Sequence, residues 1–215
     1  MHTSPIISLE NISKTYVNGT IALQDLNLEI TPATLVSLVG PSGCGKSTVL
    51  RLIAGLGNMK TGAIAWNHTH NQHRLAYVFQ EAALLPWATV LDNVWLPLKL
   101  AKLPKRQALV AASEAIAQVG LTGFEHCYPR ELSGGMKMRV SIARVVTQPD
   151  ILLMDEPFGA LDEITRSKLN TDILNLQHQM QLTIIFVTHS VYEAVYLPSS
   201  HNGSASWSSD RRYCH

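Results

Sequence analysis

Nine consecutive residues, Gly40-Pro41-Ser42-Gly43-Cys44-Gly45-Lys46-Ser47-Thr48, fit the spacing G-x-x-x-x-G-K-[ST]. Glycines at these positions let backbone N–H groups turn inward around an anion, and a following helix adds the positive end of its dipole. Lys46 then reaches the β- and γ-phosphates of a nucleotide, and the Ser47 hydroxyl ligates Mg²⁺. A Gly-rich turn can arise by chance, but this one lies between an apolar β-branched run (34–39) and a helical run (47–54), the context the motif needs. It predicts ATP or GTP binding. A second chemical signal is Ile151-Leu152-Leu153-Met154-Asp155-Glu156, an apolar strand ending in two carboxylates. Carboxylates at a buried strand end need a positive partner. Asp155 suits a Mg²⁺ contact beside the phosphates, and Glu156 suits a general base or water-positioner. Alone, a strand ending in Asp-Glu is often only a helix N-terminus; the phosphate loop gives it meaning.

The elements that must position these groups follow from periodicity. Residues 6–14 and 23–30 alternate apolar and polar, which predicts antiparallel strands. Residues 34–39, 151–154 and 183–188 are short apolar runs that read as buried strands, and 75–79 as another. Gly55 closes the helix over 47–54, and Gly120 closes one over 105–119. Residues 82–146 read as helices, and 163–180 as an amphipathic helix between two strands. This alternation predicts an α/β fold with a mostly parallel core sheet, an N-terminal antiparallel β subdomain and a helical insertion at about 82–146.

Composition bounds the function. The 215 residues carry a net charge of +1, 46% hydrophobic and 15% charged residues, so no basic field argues for nucleic acid. No apolar run approaches the ~20 residues that span a bilayer, and no signal-peptide pattern opens the chain. A membrane role must come through a partner. Cys44, Cys127 and Cys214 lack metal-ligand spacing and read as reduced cytosolic thiols. His68, His70 and His73, like the other histidines except His189, read as solvated.

Several separated motifs then agree. Leu132-Ser133-Gly134-Gly135-Met136 resembles the signature sequence of ABC ATPases, Gln80 their Q-loop, Gly159-Ala160-Leu161-Asp162 their D-loop and His189 their switch histidine. The resemblance covers about residues 6–197 and excludes P-loop kinases and GTPases. Phe79-Gln80-Glu81, Leu84-Leu85-Pro86-Trp87 and Val187-Thr188-His189 are similar to the nitrate/sulfonate/taurine branch of importer ATPases, and pyrimidine-precursor importers read almost the same way. The resemblance implies the P-loop NTPase fold and a head-to-tail dimer of two copies that sandwiches two ATPs. Ser133, Gly134 and Gly135 would meet the ATP held by the partner copy, and Asp162 would join the nucleotide-binding residues. Tyr16 would stack on adenine, and His189 would contact the γ-phosphate. Gln80 would sense Mg²⁺, in one set with Ser47 and Asp155. Residues 84–94 would line a groove for a coupling helix of a transmembrane permease, and a solute-binding protein would act indirectly. The expected place is the cytoplasmic face of the inner membrane.

Two departures from the family stand out. The helix before Pro149 (Ala143-Arg144-Val145-Val146-Thr147-Gln148) is one residue shorter than in relatives, about 100° of helix rotation. Residues 1–197 read as the ATPase domain, and 198–215 as an atypical, disordered tail. Relatives continue after Leu197 with a strand of the type S-x-R-I-x-V-M. A one-base shift across His201-Asn202-Gly203 permits Ile-Met-Val, so a frameshift is expected, and with it lower stability and an uncovered sheet edge. An ATP-hydrolysing importer subunit is the leading function. The alternatives are an ATP-binding fragment unable to support transport and a soluble ABC ATPase not coupled to transport.

Overall fold

The computed structural model describes residues 4–67, 74–146, 149–199 and 207–208. The elements in chain order are β1 (Ile7–Thr15), β2 (Ile21–Ile30), β3 (Leu35–Val39), α1 (Lys46–Ile53), β4 (Thr61–Trp66), β5 (Leu75–Val78), α2 (Val90–Leu100) and α3 (Lys105–Gln118). A 3-10 turn over Pro129–Glu131 leads to α4 (Gly134–Val146), β6 (Ile151–Asp155), α5 (Glu163–Met180), β7 (Thr183–Thr188), α6 (Val191–Ser199) and β8 (Trp207–Ser208).

Two sheets result. The first is antiparallel, in the order β2-β1-β4. The second is parallel, in the order β5-β6-β7-β3-β8. Parallel strands covered on both faces read as unbroken apolar runs, and successive side chains point to opposite faces. In β6, Ile151 and Leu153 join the core shared with β1, β2 and α1, while Leu152 and Met154 join the core shared with α2, α3, α4 and α5. In β7, Ile185 and Val187 face the first core and Ile184 and Phe186 the second. The central strands therefore bind the two halves of the molecule together. Helices α2, α3 and α4 fall between β5 and β6 in the chain, as the helical insertion requires.

The structure differs from the sequence reading at four places. Strand β4 pairs with β1 but was not legible, because its exposed Gly62 and Ala63 break the strand pattern. Residues 82–89 are not helical; α2 starts only after Thr89, whose hydroxyl accepts from the Asp92 N–H while the Asp92 carboxylate accepts from the Thr89 N–H. Helix α6 runs to Ser199, through a proline read as a break; α2 likewise contains Pro97. Trp207–Ser208 forms a short parallel strand beside Leu38 and Val39 of β3, on the edge expected to be uncovered. Pairing there satisfies edge groups that otherwise stay open. The remaining tail residues, His68, His70, His73, Cys214, and Thr147 and Gln148 of the shortened segment lie outside the described residues.

Ile185 is fully buried at the centre of β7. Ile185→Ala should destabilise the fold by about 2–5 kcal/mol, whereas Val110→Ala, on the exposed side of α3, should stay within about 0.5 kcal/mol. Urea denaturation of both variants checks the pair.

Candidate functional site

Residue 45 is the hinge of the phosphate loop. Gly45 holds φ +97°, and a Cβ there would lie 2.3 Å from the Ala22 carbonyl oxygen of β2. Only glycine lets the loop enter α1 while pressed against the antiparallel sheet. The Lys46 side chain, 3% exposed, turns back under the loop. Its Nζ donates to the Gly40 and Pro41 carbonyl oxygens, each at 2.8 Å, and lies 3.9 Å from Glu156 Oε1. Buried Cys44 sits beside it, Sγ 3.9 Å from Nζ. A buried ammonium held by neutral carbonyls is a poised anion receptor, since phosphate oxygens form stronger charge-assisted bonds.

The acidic strand ends where the sequence places it. Ser47 Oγ donates to Asp155 Oδ1 at 2.7 Å, and Tyr77 OH donates to Asp155 Oδ2 at 2.9 Å. Burial, followed by the Asp155 charge, pushes the Tyr77 phenol well above its usual range, so it stays a donor. Glu156 holds φ +47°, a left-handed conformation unusual outside glycine. Its backbone N–H donates to the Val187 carbonyl at 3.0 Å. His189 Nδ1 lies 3.3 Å from Glu156 Oε2. A Cβ at Gly159 would meet Gln80 Nε2 at 3.5 Å, the Glu156 carbonyl oxygen at 3.5 Å and His189 Cε1 at 3.8 Å. Gln80, Glu156 and His189 thus converge on one small residue.

A cleft of about 460 Å³ opens beside these groups, while His189 lines a second pocket that shares Glu156 with it. Tyr16, Ser42, Gly43, Gly45, Lys46, Ser47, Thr48, Gln80, Asp155 and Glu156 line the cleft, as do Thr20, Ala22 and Arg51, which the sequence reading missed. The Tyr16 ring is half-exposed, its hydroxyl bonded to Thr48 Oγ1 at 2.9 Å and the Lys14 ammonium 5.4 Å from its centroid. Tyr77 was missed as well; a tyrosine in a buried strand beside the acid-ended strand was the available signal, because its hydroxyl must find a partner. The Ser47 hydroxyl and the Asp155 carboxylate, with the Gln80 amide lining the same cleft, are hard donors that fit Mg²⁺.

Ser133, Gly134, Gly135 and Asp162 do not line this cleft. Ser133 Oγ accepts from the Met136 N–H at 3.2 Å, opening α4. Asp162 caps α5, accepting from the Thr165 N–H at 2.9 Å, and that backbone bond holds its carboxyl below the usual range. Of residues 84–94, Val90, Asn93 and Val94 are core residues and cannot line a groove. Pro86 and Trp87 are exposed. Buried Asn93 shapes that loop: its amide accepts from the Leu85 N–H and donates to the Leu85, Ala88 and Thr89 carbonyls. Burial pushes the Arg144 guanidinium down, and its Nη1 donates to the Ala83 carbonyl at 2.9 Å, tying α4 to the segment after Gln80.

The sequence model of the family described as "ABC transporter" matches residues 23–159. Over 198 residues the chain is 44% identical to an uncharacterised ABC transporter ATP-binding protein of Methanocaldococcus jannaschii, covering 89% of this chain and 74% of that one. It is 42% identical to an aliphatic sulfonates import ATP-binding protein of Bacillus cereus (89% and 78% covered). It is 43% identical to a taurine import ATP-binding protein of Yersinia pestis (84% and 72% covered). Among solved structures, a bacterial ABC transporter cassette in dimeric form matches with TM-score 0.76 and 33% identity, over 88% of this chain and 90% of that one. A dimeric post-hydrolysis cassette bound to ADP and Pi matches with TM-score 0.76 and 32% identity, over the same shares.

A Cβ at Gly135 would lie 2.5 Å from Thr165 Cγ2. Gly135→Ala should therefore cost about 1–3 kcal/mol by overpacking, and adding Thr165→Ser, which removes that methyl, should recover most of the loss in chemical denaturation.

Proposed function

The chain belongs to the ABC transporter family of ATP-binding subunits, and from that membership we propose that it powers uptake of a small anion or organic solute such as nitrate, a sulfonate or taurine. The support for the solute class is the identity to sulfonate and taurine import subunits. The chain is an ATPase working as a dimer beside a permease. No described helix is long and apolar enough to cross a membrane. We place it at the cytoplasmic face of the membrane, with a solute-binding protein acting indirectly through the permease.

The observation that carries the reading is the Lys46–Glu156–His189 constellation. Phosphate oxygens of ATP replace the Gly40 and Pro41 carbonyls on Lys46, and the loop N–H groups of residues 42–48 cradle the phosphates. Ser47 and Asp155, with Gln80, would hold Mg²⁺, which supplies charge neutralisation on the phosphates when bound. Glu156 orients the attacking water and takes its proton as the water oxygen bonds to the γ-phosphorus, while the bond from that phosphorus to the β–γ bridging oxygen breaks and ADP leaves with the electron pair. His189 sits against the γ-phosphate side of Glu156 and donates to the developing charge. Tyr16 offers its ring to the adenine. Ser133, Gly134 and Gly135 of the partner subunit close the far side of the γ-phosphate, and Asp162 lies next to that junction. This is why they lie outside the cleft of a single chain. Exposed Pro86 and Trp87, on the loop braced by Asn93, are the contact for the permease.

Glu156→Gln should keep ATP affinity within a few-fold and lower turnover by about 10²-fold or more. It should also accumulate an ATP-dependent dimer on size exclusion. Lys46→Ala should lose ATP binding itself, followed by fluorescent-nucleotide titration. Wild-type turnover that persists in Glu156→Gln would remove Glu156 from the chemistry.

A further inference from the structure

Behind His189 lies a buried polar cluster that the hydrolysis chemistry does not use directly. Its centre is Glu193 of α6, whose side chain is 5% exposed. One carboxylate oxygen accepts a hydrogen bond from the Thr188 hydroxyl. The other, Oε1, lies 3.7 Å from Arg166 Nε of α5. Thr188 immediately precedes His189, and its hydroxyl oxygen also accepts from the Ser190 N–H at 2.9 Å. The backbone on both sides of His189 is thereby pinned to one oxygen, and that oxygen to Glu193. The Glu193 N–H in turn donates to Ser190 Oγ at 3.3 Å.

Arg166 reaches the other way as well. Its Nη2 donates to the Leu161 carbonyl at 2.9 Å, in the turn before Asp162. Leu161 and Thr165 are the residues that the signature turn packs upon: a Cβ at Gly134 would meet Leu161 Cδ2 at 3.4 Å, and one at Gly135 would meet Thr165 Cγ2 at 2.5 Å. A continuous path of contacts therefore runs from Gly134 and Gly135, through Leu161 and Thr165, to Arg166, Glu193, Thr188 and His189, ending at Glu156.

The pair at the middle of this path is incompletely bonded. Arg166 Nε is buried and lacks a hydrogen-bond partner, as do both amide atoms of Asn170, one helical turn further along α5. A charge-assisted N–H···O bond spans ~2.7–2.9 Å, so the observed 3.7 Å is a contact about an ångström short of closing. A buried carboxylate and a partly exposed guanidinium whose Nε is buried gain from any movement that brings them together.

We propose that Arg166 and Glu193 are positioning residues that couple the two ATP sites of the dimer. The signature turn of one chain lies against the partner's ATP, and its displacement on closure moves Leu161 and Thr165. Arg166 follows the Leu161 carbonyl, closes on Glu193, and through Thr188 sets His189 against Glu156 in its own chain. Neither residue touches nucleotide, so ATP affinity does not depend on them. The inference rests on the ATPase reading above.

The test uses the full-length chain with Glu193→Gln, Arg166→Gln and the double variant. Glu193→Gln keeps an acceptor for Thr188 while removing the ion pair. Each single variant should lower kcat by about tenfold or more, as misplacement of a catalytic group by an ångström does. ATP affinity by fluorescent-nucleotide titration should stay within about twofold. The ATP-concentration dependence of turnover should lose its sigmoidal character, and the double variant should be no slower than the worse single one. Thermal melts separate function from folding. Turnover per folded molecule equal to wild type in both single variants overturns the inference, as does a loss of ATP affinity matching the loss of kcat. So does multiplicative loss in the double variant. Absence of turnover in the wild-type chain itself would instead sink the ATPase reading on which the inference stands.

Discussion

Four strands of one parallel sheet end on the same edge, and everything chemical in the molecule depends on that arrangement. Gly40 follows β3, Asp155 closes β6, His189 follows β7, and Gln80 follows β5 by one residue. In a parallel sheet all carboxyl ends share one side, so loops after different strands meet there without any long excursion of the chain. The order β5-β6-β7-β3 sets the order of residues along the edge: Gln80, then Asp155 and Glu156, then His189, then the Gly-rich loop. The register of β6 against β7, with Asp155 opposite Val187, is what brings Glu156 and His189 within 3.3 Å.

Lys46 shows how the edge stays intact with a charge inside it. An ammonium this buried would be costly without partners. Two carbonyl oxygens of its own loop supply them, and the Glu156 carboxylate adds long-range attraction at 3.9 Å. The carbonyls are neutral, so phosphate can displace them. Glu156 is held by its backbone as well as by its side-chain contacts with Lys46 and His189. Its left-handed φ stores about 1–3 kcal/mol of strain. That strain is opposed by the N–H bond to Val187 and by Phe158, fully buried and 5.6 Å from the Phe186 ring.

Much of this was legible in the sequence, for physical reasons that differ by element. The phosphate loop and the acidic strand end were legible because backbone cradles and carboxylates need fixed residue types at fixed spacing. Helix α5 was read with its observed ends, since Asp162 is a capping residue and the pattern breaks at Gln181. Strand β4 was not, because it is mostly exposed and half its length is small residues. Residues 82–89 were read as helix because apolar residues recur there; the Thr89–Asp92 cap that places the true start was present and overlooked. Arg51 and the Arg166–Glu193 pair could not be singled out, because only the fold brings Arg51 to the cleft and α5 against α6, whereas the signal for Tyr77 was present and overlooked.

On the proposed reading, the geometry also explains why a single chain would be an incomplete catalyst. The cleft supplies a cradle, donors suited to a cation and a carboxylate base, but its lining contains no residue of α4. The signature turn is instead packed on the start of α5, with Gly135 pressed on Thr165 and Ser133 accepting from the Met136 N–H. Local rearrangement within one chain cannot bring it to its own phosphate, since moving α4 would pull apart the core shared by Met138, Val140 and Ile142 with the parallel sheet. On that reading a rigid core leaves the missing contacts to a second copy. Hydrolysis would then be tied to association because the packing that stabilises each subunit keeps its signature turn from its own cleft.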